Sequence, residues 1–98
     1  MESILEEIKQ ERVRQNQKFG EQNHKPIEWI AILSEEVGEA AKEALDHHFE
    51  YPEKTESGKQ ECNTELQAQR LKDYRKELIQ VAAVAVQMIE CLDRNRKS

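Results

Sequence analysis

The chain has 98 residues, with 15 Lys and Arg against 20 Asp and Glu and a formal net charge of -5. That length fits one small domain, residues 1–98, and excludes two ordinary ones; with 37% hydrophobic and 36% charged residues, a compact monomer has little apolar surface to offset its conformational entropy, so helices sharing a core between copies of the chain are expected. The acidic balance opposes a nucleic-acid backbone, and there is neither a leader-like start nor an apolar run of about 20 residues, so the expectation is no nucleic-acid partner, no membrane and a cytoplasmic location.

In chain order, Ile4, Leu5, Ile8 and Val13 recur at helical spacing in a polar run and predict an amphipathic, peripheral helix over 2–17. Asn23-His24-Lys25-Pro26 punctuates the chain. A second helix is expected over 27–48, its core face formed by Ile30, Leu33, Val37, Ala40, Ala41, Ala44 and Leu45. Residues 50–63 are polar, contain Pro52 and Gly58 and lack a sustained apolar period, which predicts an exposed loop. A third helix over 64–93 places Leu71, Tyr74, Leu78, Val81, Ala85, Met88 and Leu92 at alternating intervals of three and four, a seam that expects a long partner helix. Residues 81–86 are all apolar and expect cover on more than one side. No strand signal is present. The class predicted is all-α, a bundle of long antiparallel helices completed by homo-oligomerisation. Cys62 and Cys91 form neither a C-x-x-C pair nor a disulfide framework and read as reduced thiols.

Chemistry concentrates in Ser34-Glu35-Glu36-Val37-Gly38-Glu39 and in Glu77-Leu78-Ile79-Gln80. At about 100° per residue Glu36 and Glu39 lie one turn apart on one side of the second helix, with Glu43 on that side too. Glu77 falls within the apolar arc of the third helix, where a bare carboxylate must neutralise or find a partner. If the two helices pack antiparallel, Glu36, Glu39, Glu77 and Gln80 form an oxygen-rich group suited to a hard cation, Mg²⁺ or Mn²⁺. The alternatives are solvated surface carboxylates for Glu36 and Glu39, and a buried ion pair with Lys or Arg for Glu77.

The motif Glu35-Glu36-Val37-Gly38-Glu39, followed on the next inward-facing helix by Glu77-Leu78-Ile79-Gln80, resembles the E-E-x-x-E and E-x-x-D signature of the MazG-like all-alpha NTP pyrophosphohydrolases. Residues 18–26 and 74–87 are also similar to segments of small members of that group, so the resemblance spans nearly the whole chain outside 50–63. It implies a helical bundle assembled as a homodimer or homotetramer, with a magnesium-dependent site that cleaves nucleoside triphosphates to the monophosphate and pyrophosphate. Carried over by position, Glu36, Glu39 and Glu77 match metal ligands. Gln80 stands where the fourth ligand is usually Asp, and Glu35 has a supporting or water-positioning role.

Gln80 is the main departure from the pattern. At an effective dielectric of about 20, a dication and a carboxylate about 4 Å apart attract by roughly 8 kcal/mol, and two carboxylates at that distance repel by roughly 4 kcal/mol. Losing one charge therefore removes attraction and repulsion together, and the Gln carbonyl oxygen can still coordinate. One ion is still expected to bind; a second is less well compensated.

The mechanism expected is metal-assisted attack of water on the α-phosphorus, with Glu35 or Glu43 accepting a proton. Lys18 and Arg75, with Arg12, Arg14 and Lys76, are the candidate phosphate donors, although such side chains usually cover helix surfaces. Phe19 and Trp29 are candidate base contacts and His24 a candidate substrate contact, Trp29 being equally readable as core and His24 as a loop hydrogen bond. His47 and His48 mark a helix end rather than a transition-metal site, since the only E-x-x-H, 21–24, lies in a connection. The rival function is a helical regulatory or interaction protein that keeps the fold and has lost full turnover through Gln80.

Overall fold

In a computed structural model the described residues are 1–49, 53–54, 60–61 and 64–96. They form three helices, α1 (Glu2–Phe19), α2 (Pro26–Phe49) and α3 (Thr64–Arg96). Between α2 and α3, the short strands β1 (Glu53–Lys54) and β2 (Gln60–Glu61) pair antiparallel, Glu53 opposite Glu61. Within the expected 50–63 loop the described residues thus form only this two-residue pairing, too short to carry an alternating pattern, and the all-α class holds. The remainder of that expected loop, including Cys62, lies outside the described residues.

Local chemistry sets the helix ends. α1 stops at Gly20, whose φ of 71° is open to glycine and whose N–H donates to Asn16 O at 2.9 Å. α2 starts on Pro26, which has no N–H to leave unpaired, and Glu28 Oε1 accepts the Lys25 N–H at 2.8 Å, the carboxylate half of a capping box. His47 and His48 occupy the last turn of α2, where a cation complements the helix dipole.

α3, 33 residues and about 50 Å long, is the spine. Asp46 meets Arg70 at 3.6 Å, while Trp29 at the other end of α2 lies beside Cys91, so α2 runs antiparallel to α3. α1 runs in the same sense as α3: Glu7 accepts from Arg75 Nη1 at 2.7 Å, and Glu90 accepts from Arg12 Nε at 2.8 Å. Both α1 and α2 pack on α3 and, among the described residues, not on each other. The 20–25 connection is tied to the end of α3, where Arg94 Nη2 donates to Gln22 O at 3.0 Å and Gln87 Nε2 to Gln22 Oε1 at 3.1 Å.

The buried apolar residues are Trp29, Ala40, Ala83, Val84 and Cys91, joined by Arg12, Gln67 and Gln87. Of the expected seams Ala40 is buried and Leu33, Tyr74, Val81, Ala85 and Met88 are half-buried, but the larger side chains at their edges are not. Leu71 (50%), Leu78 (42%) and Leu92 (49%) on α3, and Ile30, Val37 and Leu45 on α2, are exposed in the single chain. On a helical wheel Leu71, Leu78 and Ile89 share one side of α3, and Ala83, Val84, Gln87 and Cys91 share the opposite one. The neighbouring helices pack on the small-residue side, where backbones approach closely. No described helix is long and apolar enough to cross a membrane.

Candidate metal centre

The antiparallel packing of α2 on α3 turns Glu36 and Glu39, one helical turn apart, toward Glu77. One carboxylate oxygen from each lies within 4.8 Å of the others. Glu36 and Glu77 are half-buried and Glu39 is exposed. Glu36 Oε2 and Glu77 Oε2 are shut off from solvent and have no hydrogen-bond partner.

The electrostatics are those of crowded acids. Desolvation first, then the charges of Glu39, Glu35 and Glu11, push the Glu36 carboxyl above the ordinary range. Glu77 is also raised, first by desolvation, then by the adjacent Glu39 carboxyl and the charges of Glu36 and Glu43. Among the described residues the ion pairs engage other acids, so the buried Glu77–Lys or Glu77–Arg pair is not formed. A set of three carboxylates with two shielded, unpartnered oxygens fits a hard cation, which takes oxygen ligands and cancels their repulsion.

The other sequence candidates fall around this group or away from it. Gln80 is half-buried on the next turn of α3. Glu35 is exposed, yet its charge acts on Glu36. Trp29 is buried and meets His24 edge-on, ring centroids 4.7 Å apart, near the start of α2. Lys18 and Phe19 pair with each other at the end of α1, Nζ 5.0 Å from the ring centroid. Arg75 is not brought to the carboxylates: two residues from Glu77, it points about 200° away on the helix and pairs with Glu7. Arg12 is buried in structural bonds to Glu90, Gln15 and Asn16, and Arg14 pairs with Glu11. Lys76 lines the surface groove between α1 and α3.

Sequence reasoning missed Glu11. Its side chain is 13% exposed, and its charge reaches Glu36 although it sits on the helix expected to be peripheral. Nothing in the α1 pattern distinguishes it from the neighbouring acids; only the packing of α1 on α3 does. No family model, curated protein or solved structure matches the chain.

Proposed function

We propose that the chain is a cytoplasmic, divalent-cation-dependent nucleoside triphosphate pyrophosphohydrolase of the MazG-like all-alpha kind, cleaving (d)NTP to (d)NMP and pyrophosphate in nucleotide-pool house-cleaning. The observation that carries the reading is the convergence of Glu36, Glu39 and Glu77 within 4.8 Å, with two shielded oxygens left unpartnered. These three residues would hold Mg²⁺ or Mn²⁺, with Gln80 on the adjoining turn as a neutral oxygen donor. The cation would neutralise the phosphate chain and the leaving pyrophosphate. Glu35 or Glu43, whose charges act on Glu36 and Glu77 respectively, would take a proton from the attacking water.

Exposed Val37 and Leu78 adjoin Glu36 and Glu77 in sequence, and Leu45 and Leu71 add exposed apolar surface further along α2 and α3. A second copy of the chain covering them, in a homodimer or homotetramer, would supply the core that the single chain lacks and exclude water beside the carboxylates. Gln80 favours a second reading, a helical regulatory or interaction protein with weakened or lost turnover.

Pyrophosphate release over the common and several modified nucleotides, with Mg²⁺ and with Mn²⁺, tests the choice. Release with at least one nucleotide, abolished in Glu77→Gln, supports the enzyme. Silence across the panel, with no divalent-induced rise in melting temperature, supports the second reading.

A further inference from the structure

The side chains that α1 turns inward are Glu7, Ile8, Glu11, Arg12 and Gln15; every other side chain of the helix is exposed, and Ile8 is the only apolar one of the five. The apolar face that holds most helices on a domain is therefore nearly missing from this contact. Ion pairs take its place, Glu7 with Arg75 and Arg12 with Glu90. An open groove of about 450 Å³ runs between α1 and α3 along Glu11, Lys76 and Ile79. Among the described residues α1 touches α3 and not α2. At its base Gly20, with φ 71°, stands between the helix and Gln22, which is tied to Arg94 and Gln87. The helix can thus swing about Gly20 while the connection stays fixed. An element with so little apolar contact opens more often than the core does.

The same contact carries an electrostatic cost. Arg75 and Glu90 bracket the turns of α3 that bear Glu77 and Gln80, and Glu11 enters the notch between these ties with its side chain only 13% exposed. Docked, α1 therefore adds an acid to the neighbourhood of Glu36, Glu39 and Glu77, and the charge of Glu11 is felt at Glu36. Without a cation that charge opposes docking. A bound dication takes the formal charge of the three carboxylates from about −3 to about −1, removing roughly two-thirds of the repulsion on Glu11.

We propose that α1 is a charge-held strap on α3 whose docking is linked to occupancy of the carboxylate centre: a divalent cation held by Glu36, Glu39 and Glu77 settles α1 through Glu11, and its removal loosens the helix. The inference rests on the cation reading of that centre. Linkage is reciprocal, so whatever releases α1 weakens the cation by the same factor.

Hydrogen exchange of the whole chain, followed peptide by peptide in EDTA and in saturating Mg²⁺ at one ionic strength, tests this, with Mg²⁺ binding measured on the same sample by calorimetry. In EDTA the amides of α1 are expected to exchange about tenfold or more faster than those in the middle of α3. Mg²⁺ should slow α1 about three- to fivefold. Glu11→Gln should exchange more slowly than the parent over α1 in EDTA and lose the Mg²⁺ response there, while α2 and α3 keep theirs. Arg14→Gln, which leaves Glu11 in place, should retain the α1 response. Arg75→Gln removes one tie and should speed α1 exchange about threefold, the worth of an exposed ion pair.

Mg²⁺ that binds by calorimetry without slowing α1 would overturn the linkage and leave the metal centre standing. An equal α1 response in Glu11→Gln and the parent would also overturn it, because the slowing would then come from general stabilisation. Exchange of α1 as slow as that of α3 in EDTA would refute the strap. Absence of any binding of Mg²⁺ or Mn²⁺ would overturn the linkage together with the cation reading.

Discussion

Replacing Glu77 by Gln perturbs the carboxylate group with opposite signs in the absence and presence of cation. With oxygens within 4.8 Å of one another, two ionised carboxylates repel by at least about 3.5 kcal/mol at an effective dielectric of about 20. Glu39 is exposed and both other acids are only half-buried, so hydration and partial protonation reduce the relief to about 1–2 kcal/mol for the pairs Glu77 makes. Without cation, Glu77→Gln is therefore expected to melt higher than the parent at pH 7.5, by roughly 5–10 °C for a domain of this size. With Mg²⁺ at ten times its Kd the parent gains about 1.4 kcal/mol, and the variant, short of one ligand, gains little. The pH dependence carries the same sign. The raised carboxyls of Glu36 and Glu77 bind protons more tightly in the folded chain than in the unfolded one. Their stabilising contribution is complete below the ordinary carboxylate range and is lost as pH rises through the raised folded values; Glu77→Gln should flatten that loss. Thermal melts in EDTA and in Mg²⁺, from pH 5 to 8, measure all three effects. A variant that melts lower without cation would show that Glu77 has a favourable partner, and an equal Mg²⁺ response in both proteins would place the cation elsewhere.

Gln80→Asp adds a charge on the turn after Glu77 and should tighten Mg²⁺ binding about tenfold by calorimetry; weaker binding would contradict the placement of position 80 beside the ion. Arg12→Met removes a buried guanidinium that bonds Glu90, Gln15 and Asn16, at a cost of about 2 kcal/mol or roughly 10 °C in melting temperature. A loss under about 3 °C would mean that Arg12 does not fasten α1 to α3. Leu78→Glu puts a charge on the exposed apolar face and should shift the mass measured by light scattering from an assembly to the monomer. An unchanged assembly would move the interface to another face.

The sequence made the helices legible because their periodicity is local: Pro26, Gly20 and the spacing of apolar side chains act within a turn or two of where they stand. Which of the apolar positions on α3 turn toward α1 and α2 was only partly legible. The seam through Leu71, Leu78 and Leu92 is the stronger apolar pattern, yet α2 and α1 pack against the side of Ala83, Val84, Gln87 and Cys91. Periodicity shows that a face is apolar; it does not show whether the cover comes from the same chain or from another. Of the site, the spacing of Glu36 and Glu39 was readable on one helix, and Glu77 was conspicuous as an acid among apolar neighbours. Arg75 shows the limit: two residues from Glu77 in sequence, it points to the far side of α3 and is bound to Glu7.

Glu11 and Gln80 together bear on how the site could work with a neutral residue in the fourth position. A ligand carboxylate acts on a cation through contact and through field, and only contact requires position 80. The field has other sources: Glu35 and Glu11 act on Glu36, and Glu43 acts on Glu77. An Asp at position 80 would add a further negative charge to this crowd, whereas Gln80 leaves an oxygen on the turn after Glu77 without adding repulsion. The proximity of α1 thus has electrostatic as well as packing consequences, because it carries an acid to Glu36 that the α2–α3 hairpin does not contain. A site organised this way would hold a first cation by contact with Glu36, Glu39 and Glu77 and by the field of the surrounding acids, and would depend less on position 80 than the four-residue motif suggests.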